Sequence, residues 1–302
     1  MFKSAKTFIL LAALSGVLLF LGDAFGGRQG LYLALGFALL FNGVAYFFSD
    51  RIAIAAARGK LLTEPEAPEL YGIVRRLSQR AGQPMPRLYL SPSPQLNAFA
   101  TGRNPQHAAV CVNQGLYEAL DPHELEGVLA HELQHVYNRD VLVGTVAATL
   151  AAAITFLARI AFWGALFGGG GGRDNDEGGG ALGGLLMVFL APIAAFLIQA
   201  AVSRSRESLA DRSGAQLCNN PLALARALRK IEQANRSTTM WRRGATPAET
   251  NPAFAHLYFS APFGGKALSK LFSTHPPTEE RVEALEEMAR RMGQLGPGQH
   301  MH

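Results

Sequence analysis

The chain has 302 residues, of which 49% are apolar and only 17% are charged, whereas about a quarter is charged in an ordinary soluble domain. This composition predicts that part of the chain lies in a lipid bilayer. The net charge of +5 does not indicate nucleic-acid binding, because the basic residues cluster beside apolar runs, as in membrane proteins. Cys111 and Cys218 lack C-x-x-C spacing and are predicted to be reduced thiols in a cytosolic compartment.

Four apolar runs approach the roughly 20 residues that a helix needs to cross a bilayer. They cover residues 7–22, 31–48, 141–158 and 181–202. A signal peptide is the alternative for the first run, but the second run follows closely, which favours a retained hairpin. We therefore predict two transmembrane hairpins that alternate with the two parts of one soluble domain. In chain order these four segments are residues 1–50, 51–140, 141–202 and 203–302.

The basic residues predict the orientation of these spans. Lysines and arginines lie before the first span, after the second, before the third and after the fourth. The opposite loops carry little positive charge, and GGGGGRDNDEGGG (168–180) is predicted to be a flexible outer turn rather than a phosphate-binding loop. Both termini and both soluble parts are therefore expected on the cytoplasmic side of a bacterial inner membrane.

The first soluble part mixes helical and strand patterns. Residues 68–81 have the apolar spacing of a helix, and RLYLS (87–91) and AAVCV (108–112) are typical of short strands. The turn residues of NAFATGRNPQ (97–106) are expected to connect those strands. The predicted fold class is therefore mainly α with a small β-sheet (α+β), within a four-span membrane protein.

A helix with a strong start signal carries the most informative motif. Asp121 can cap it, and Glu124 completes a capping box. Further along, His131, Glu132 and His135 form the H-E-x-x-H pattern. Two neutral imidazoles one turn apart can hold Zn²⁺, and the glutamate between them can take a proton from metal-bound water as general base.

The geometry of an ideal helix separates this motif from ordinary core packing. The two imidazoles lie about 40° apart around the helix axis and away from the leucine stripe that faces the core. If the helix continues unbroken, Val141 and the start of an apolar run lie only about 9 Å further along the axis from His135. This places the metal chemistry at the membrane surface.

A third ligand is needed, with a fourth position open for water. Asp140 is expected to leave the opposite face of the helix, and Glu177 lies on the wrong side of the membrane. Glu207 and Asp211, just after the fourth span, share one helix face, so one can bind metal while the other accepts the N–H of a ligand histidine. The alternative, on spacing alone, is a solvated carboxylate pair among arginines.

At this point the chain resembles the M48 family of membrane zinc metalloproteases. The matching stretches are spread over most of the chain in family order. They are NAFATGRNP (97–105), AAVCVNQGL (108–116), HELQHVYNRD (131–140), SRESLADRSGA (205–215) and FSTHPPTEERV (272–282). The resemblance implies a gluzincin-like metalloprotease domain that faces the cytoplasm and binds one Zn²⁺.

The resemblance also implies roles for the residues of the metal centre. These are His131, His135 and Glu207 as zinc ligands, Glu132 as general base and Asp211 as a supporting carboxylate. Other matching residues are implied to handle the substrate. Asn97 would position it, Ala109 and Val110 would lie in an edge strand that pairs with an extended peptide, and His275 and Arg281 would steady the developing oxyanion.

The function predicted from these observations is zinc-dependent endopeptidase activity on misfolded or damaged membrane proteins. The expected partners are those unfolded or membrane-protein substrates and the lipid bilayer. One alternative is a processing peptidase of the same family with defined substrates. Others are a non-catalytic membrane adaptor with a structural zinc site, which would need no general base, and a transporter, which would need paired charges within the spans.

Overall fold

The computed structural model describes residues 51–140, 204–236 and 277–296, together with isolated positions between residues 9 and 50 and at 154 and 193. The chain divides into two compact units. One comprises residues 1–45 and 143–202, and the other comprises residues 46–142 and 203–302. Within the described residues, no helix combines the length and the apolar character that crossing a bilayer requires. The four predicted spans lie outside the described residues, apart from isolated positions.

The described part of the second unit consists of one sheet and a set of helices. Its strands are β1 (Lys60–Leu61), β2 (Arg87–Ser91), β3 (Ala98–Thr101) and β4 (Ala109–Asn113). Its helices are α1 (Pro68–Ala81), α2 (Gln114–Ala119), α3 (Pro122–Tyr137), α4 (Pro221–Arg236) and α5 (Thr278–Arg291). Residues 204–218 are also helical and are called the Glu207 helix below. This mainly helical composition with a small mixed sheet agrees with the α+β part of the predicted fold class.

The strand order of the sheet is β1-β2-β4-β3. β1 pairs antiparallel with β2, β2 pairs parallel with β4, and β3 pairs antiparallel with β4. The prediction that AAVCV forms an edge strand is therefore wrong. Ala109 and Val110 are fully buried in β4, between Arg87 and Leu88 of β2 on one side and β3 on the other. The hydrogen-bonding edge of β4 is thus already occupied.

Among the described strands, the outer strand beside β4 is β3, and it lies in a stretch that was predicted to be a turn. Residues 98–101 form β3, and all four are buried. A strand buried on both faces lacks the alternation of apolar and polar residues that marks a half-exposed strand. The following Gly102 has φ of +118° and lies so close to His107 that a Cβ there would be 2.3 Å from the His107 carbonyl oxygen. The connection to β4 therefore begins at residue 102 rather than at residue 97.

Helix α3 begins as predicted. The Asp121 carboxylate accepts hydrogen bonds from the backbone N–H groups of His123 and Glu124, and the Glu124 carboxylate accepts one from the Asp121 N–H, which completes the capping box. The expectation that the helix continues unbroken into the apolar run is wrong. α3 ends at Tyr137, and Arg139 adopts a left-handed backbone with φ of +57°.

Candidate metal centre

The two histidines of α3 meet in the interior of the domain. His131 is 1% exposed, and the Nε2 atoms of His131 and His135 lie 3.0 Å apart. Their rings are arranged edge to face, with centroids 4.7 Å apart. The one-turn spacing of the motif therefore brings the same nitrogen of each imidazole to a common point.

The Glu207 helix brings a carboxylate to that point. Oε1 of Glu207 lies 3.3 Å from Nε2 of His135, and Oε2 lies 3.6 Å from Nε2 of His131. One atom from each of the three residues lies within 4.8 Å of the others, and within the described ranges no other group of this kind occurs. Glu207 is 5% exposed, so the spacing-based alternative of a solvated surface pair does not describe it.

The other nitrogen of each imidazole faces an aspartate. Nδ1 of His131 lies 2.9 Å from Oδ1 of Asp211, and Nδ1 of His135 lies 2.8 Å from Oδ2 of Asp140. Since a carboxylate can only accept a hydrogen bond, each neutral imidazole carries its proton on Nδ1. The lone pairs of both Nε2 atoms therefore point toward each other and toward Glu207.

This donor set fits a zinc ion. Two imidazole lone pairs and a carboxylate at such short separations repel one another unless a cation lies between them. Two nitrogens that bind one tetrahedral zinc ion lie about 3.3 Å apart, given Zn–N distances of about 2.0–2.1 Å. The three separations of 3.0, 3.3 and 3.6 Å bracket that value. Two histidines and one glutamate form a ligand set found in catalytic zinc sites.

Arg281 of α5 binds the carboxylates behind the histidines. Its Nε and Nη2 donate to the two oxygens of Asp211 at 2.8 and 2.7 Å, and Nη2 lies 3.7 Å from Oε2 of Glu207. Burial by itself would raise the pKa of the Asp211 carboxyl, but the Arg281 charge and the His131 N–H together lower it to about 2. Asp211 is therefore an anion at neutral pH.

Asp140 and Arg206 were missed as members of the site. Asp140 was expected on the opposite face because that estimate assumed an unbroken helix, whereas the turn at Arg139 brings its carboxylate back to His135. Arg206 forms an ion pair with Asp140. The weak sequence signal is the Asn-Arg-Asp that follows the motif, since Asn and Asp favour helix ends over helix interiors.

Glu132 lies on α3 between His131 and His135 in sequence and is 5% exposed. The backbone N–H of Ala100 in β3 donates to its Oε2 at 3.0 Å. Burial is the largest influence on the Glu132 carboxyl and raises its pKa above the ordinary range. A raised pKa suits a group that accepts a proton and later returns it near neutral pH. The hydrogen bond from Ala100 to Glu132 could not be predicted from the sequence, because every residue except proline has a backbone N–H.

The remaining predicted site residues are placed as follows. Asn97 is 4% exposed and directly precedes β3, where its carbonyl accepts a hydrogen bond from the Asn113 N–H at 2.9 Å. Ala109 and Val110 lie in the interior strand β4. His275 lies outside the described residues.

A glycine allows the Glu207 helix to lie directly against α3. A Cβ at Gly214 would be 2.8 Å from both Cα and N of His131, closer than side-chain contacts allow. Any larger residue there would push the two helices apart. This close approach helps to bring Glu207, two turns earlier on the same helix, within reach of the imidazoles.

Comparison with known proteins identifies the family. The family model described as peptidase family M48 matches residues 64–289. The chain belongs to peptidase family M48. A "Protease HtpX homolog" of Pelotomaculum thermopropionicum is 50% identical over 287 residues, which cover 95% of this chain and 99% of that protein. Another of the same name, from Thermococcus kodakarensis, is 51% identical over 288 residues, covering 95% and 97% of the two chains.

A solved structure shares the fold. The crystal structure of S. mikatae Ste24p superimposes with a TM-score of 0.57 at 19% sequence identity. The match covers 93% of this chain but 65% of the Ste24p chain, so the present chain spans about two thirds of that protein. The match to the M48 family model and the HtpX-type relatives together identify this chain as a protease, and specifically as a metallopeptidase.

Proposed function

We propose that this M48 protease is a zinc-dependent endopeptidase of the bacterial cytoplasmic membrane. In this proposal, residues 1–50 and 141–202 form four transmembrane helices, and the active site and both termini face the cytoplasm. Its substrates are misfolded or damaged membrane proteins, so that it serves protein quality control under stress. The observation that carries the enzymatic part is the convergence of His131, His135 and Glu207 beside a buried Glu132.

The ligand roles follow from the donor atoms. His131 and His135 would contribute their Nε2 atoms and Glu207 a carboxylate oxygen, which leaves one tetrahedral position open. When bound, zinc would act as a Lewis acid that polarises the scissile carbonyl and lowers the pKa of water, so that the water loses a proton more readily and becomes a better nucleophile. Asp211 holds His131 in place through the Nδ1 atom of the imidazole, and Arg281 forms an ion pair with Glu207.

The chain's own residues handle the protons and the substrate. Glu132 takes a proton from the attacking water and passes it to the leaving amine, for which its raised pKa is suited. The family resemblance assigns the stabilisation of the developing oxyanion to His275 and Arg281, and the positioning of the substrate to Asn97.

We assign the substrate-pairing edge to β3 in place of β4. The Asn113 N–H bonds to the Asn97 carbonyl, so in this antiparallel pair the residues at 97, 99 and 101 bond toward β4. The backbone groups of Ala98 and Ala100 therefore point away from β4, and the Ala100 N–H reaches Glu132. An extended peptide that pairs along this side of β3 runs beside the general base.

The alternatives differ in what they need from the site. A structural zinc site in a non-catalytic adaptor needs no buried carboxylate beside its ligands, so Glu132 argues against it. A processing peptidase of the same family uses the same chemistry and differs only in substrate. Comparing the cleavage of defined peptides with that of unfolded membrane proteins separates a processing peptidase from a quality-control protease.

The decisive experiment removes the general base and keeps the ligands. In detergent-purified protein, Glu132→Gln should keep one zinc per chain and lose roughly 10²- to 10⁴-fold in the rate of cleavage of an unfolded protein. Glu126→Gln is the matched control, because Glu126 lies on the same helix but pairs with Arg80 and Arg76 at the surface. Equal cleavage by the Glu132→Gln variant and the wild type would remove Glu132 from the mechanism.

A further inference from the structure

Two series of paired side chains lead to the candidate metal centre, and each runs from an arginine to an aspartate to a histidine. In one, Arg281 binds Asp211, which faces Nδ1 of His131. In the other, Arg206 binds Asp140, which faces Nδ1 of His135. Each imidazole is thus backed by an aspartate, and each aspartate by an arginine from a later part of the chain.

Asp140 reaches His135 because of the backbone turn that follows α3. The helix ends at Tyr137, and the left-handed conformation of Arg139 redirects the chain. The Asp140 side chain, 7% exposed, then lies with Oδ2 2.8 Å from Nδ1 of His135. A carboxylate this deeply buried is costly unless its charge is balanced, and Arg206 supplies the balancing charge.

Arg206 connects the end of α3 to the Glu207 helix. In addition to its ion pair with Asp140, its Nη2 donates to the backbone carbonyl of Asn138 at 2.8 Å. Its side chain is 13% exposed, and it directly precedes Glu207 in sequence. One guanidinium therefore fixes both the turn after α3 and the position at which the Glu207 helix begins its contact with the site.

We propose that Asp140 and Arg206 are positioning residues for metal binding. Asp140 holds the proton of His135 on Nδ1 and fixes the ring, so that Nε2 is available to the metal. Arg206 holds Asp140 and sets the register of the Glu207 helix against α3. This inference rests on the proposed zinc site, and it assigns to His135 the kind of support that Asp211 and Arg281 give to His131.

The test is the zinc affinity of the full-length protein in detergent, measured by competition with a chromophoric chelator. Asp140→Asn should weaken zinc binding by roughly 10- to 100-fold, the range found for residues that orient metal ligands. Asp211→Asn should weaken it by a similar factor. The control is Glu286→Gln, which weakens the ion pair between the buried Glu286 of α5 and the partly exposed Arg229 of α4. It should lower thermal stability but leave zinc affinity unchanged.

Two further measurements separate positioning from simple structural support. Arg206→Gln leaves Asp140 in place and should weaken zinc binding by a smaller factor, and Arg206→Lys, which keeps the charge, should restore part of that loss. In Co²⁺-substituted protein, Asp140→Asn should change the visible absorption bands, because the His135 ring is no longer fixed. The Glu286→Gln control should leave those bands unchanged.

The possible outcomes are distinct. If the wild type binds zinc and both Asp140→Asn and Arg206→Gln bind it equally tightly with unaltered Co²⁺ bands, Asp140 and Arg206 serve only the fold and the inference is wrong. If the wild type itself binds no zinc, the proposed function fails and the inference with it. If Asp140→Asn does not fold, the two Arg206 variants decide the question alone.

Discussion

At the scale of single residues, the site is a balance of buried charges. Asp140, Glu207 and Asp211 contribute negative charge, while Arg206 and Arg281 neutralise part of it within hydrogen-bonding or ion-pair distance. Burial by itself would lower the pKa of Arg281, but Asp211 and the other surrounding carboxylates outweigh it and raise the pKa above its usual value, so Arg281 remains a cation. These three negative and two positive groups leave one net negative charge, which a metal cation held by His131, His135 and Glu207 would offset.

Arg281→Met removes the cation from a pair that is almost fully buried. Because Asp211 is left as an isolated buried charge, we expect the free energy of unfolding to fall by about 3–5 kcal/mol. Thermal unfolding of the detergent-purified variant measures this, and adding Asp211→Asn should recover part of the loss. A variant that keeps its stability and zinc affinity but loses turnover would instead show that Arg281 acts only on the substrate.

At the scale of secondary-structure elements, two glycines permit close contacts between helices. Gly214 brings the Glu207 helix against the backbone of His131, and Gly127 brings α3 against the backbone of Leu224 in α4. In each case an added Cβ would be within 2.9 Å of backbone atoms, which cannot move aside as a side chain can. Only the first contact borders the candidate metal centre.

Alanine at these two glycines should separate the metal site from general packing. Both Gly214→Ala and Gly127→Ala are expected to destabilise the protein by about 1–3 kcal/mol, because each forces two helices apart. Only Gly214→Ala should also weaken zinc binding, since it shifts Glu207 relative to His131. The checks are thermal unfolding and chelator competition. Equal zinc affinities in the two variants would show that the Gly214 contact does not position the ligand.

Elements with local sequence signals are predictable, whereas features that depend on the arrangement of the whole fold are not. Helix α3 was predictable because Asp121 and Glu124 form a local capping signal, and local signals need no knowledge of the fold. Strand β3 was missed because its four residues are buried on both faces and carry no alternation. The interior place of β4 depends on strand order, which no residue of AAVCV encodes.

At the scale of the whole molecule, one compact unit is assembled from two segments that are far apart in the sequence and separated by a long apolar stretch. Residues 46–142 and 203–302 fall in one compact unit, while residues 143–202 fall in the other. The meeting of Glu207 with the α3 histidines was foreseeable from the return of the chain after a proposed hairpin. The pairing of Asp140 with Arg206 was not, because it depends on a left-handed turn at Arg139, a conformation that arginine rarely adopts.

The proposed topology predicts which positions are reachable from outside the cell. In a Cys218→Ala background, Asn175→Cys in the glycine-rich loop should react with a membrane-impermeant maleimide added to intact spheroplasts, because that loop is predicted to face outward. Glu118→Cys, at an exposed position of α2, should react only after lysis. The reverse labelling pattern would invert the proposed orientation, and labelling of both before lysis would rule out a cytoplasmic site.

The two arginine-backed histidines have a consequence for how the enzyme is made. Ribosomes produce the H-E-x-x-H helix early, whereas Arg206, Glu207 and Arg281 emerge later in translation. A nascent chain that stops short of Glu207 therefore holds the general base without a complete metal site. The three candidate ligands can therefore come together only after roughly the first two thirds of the chain have been made.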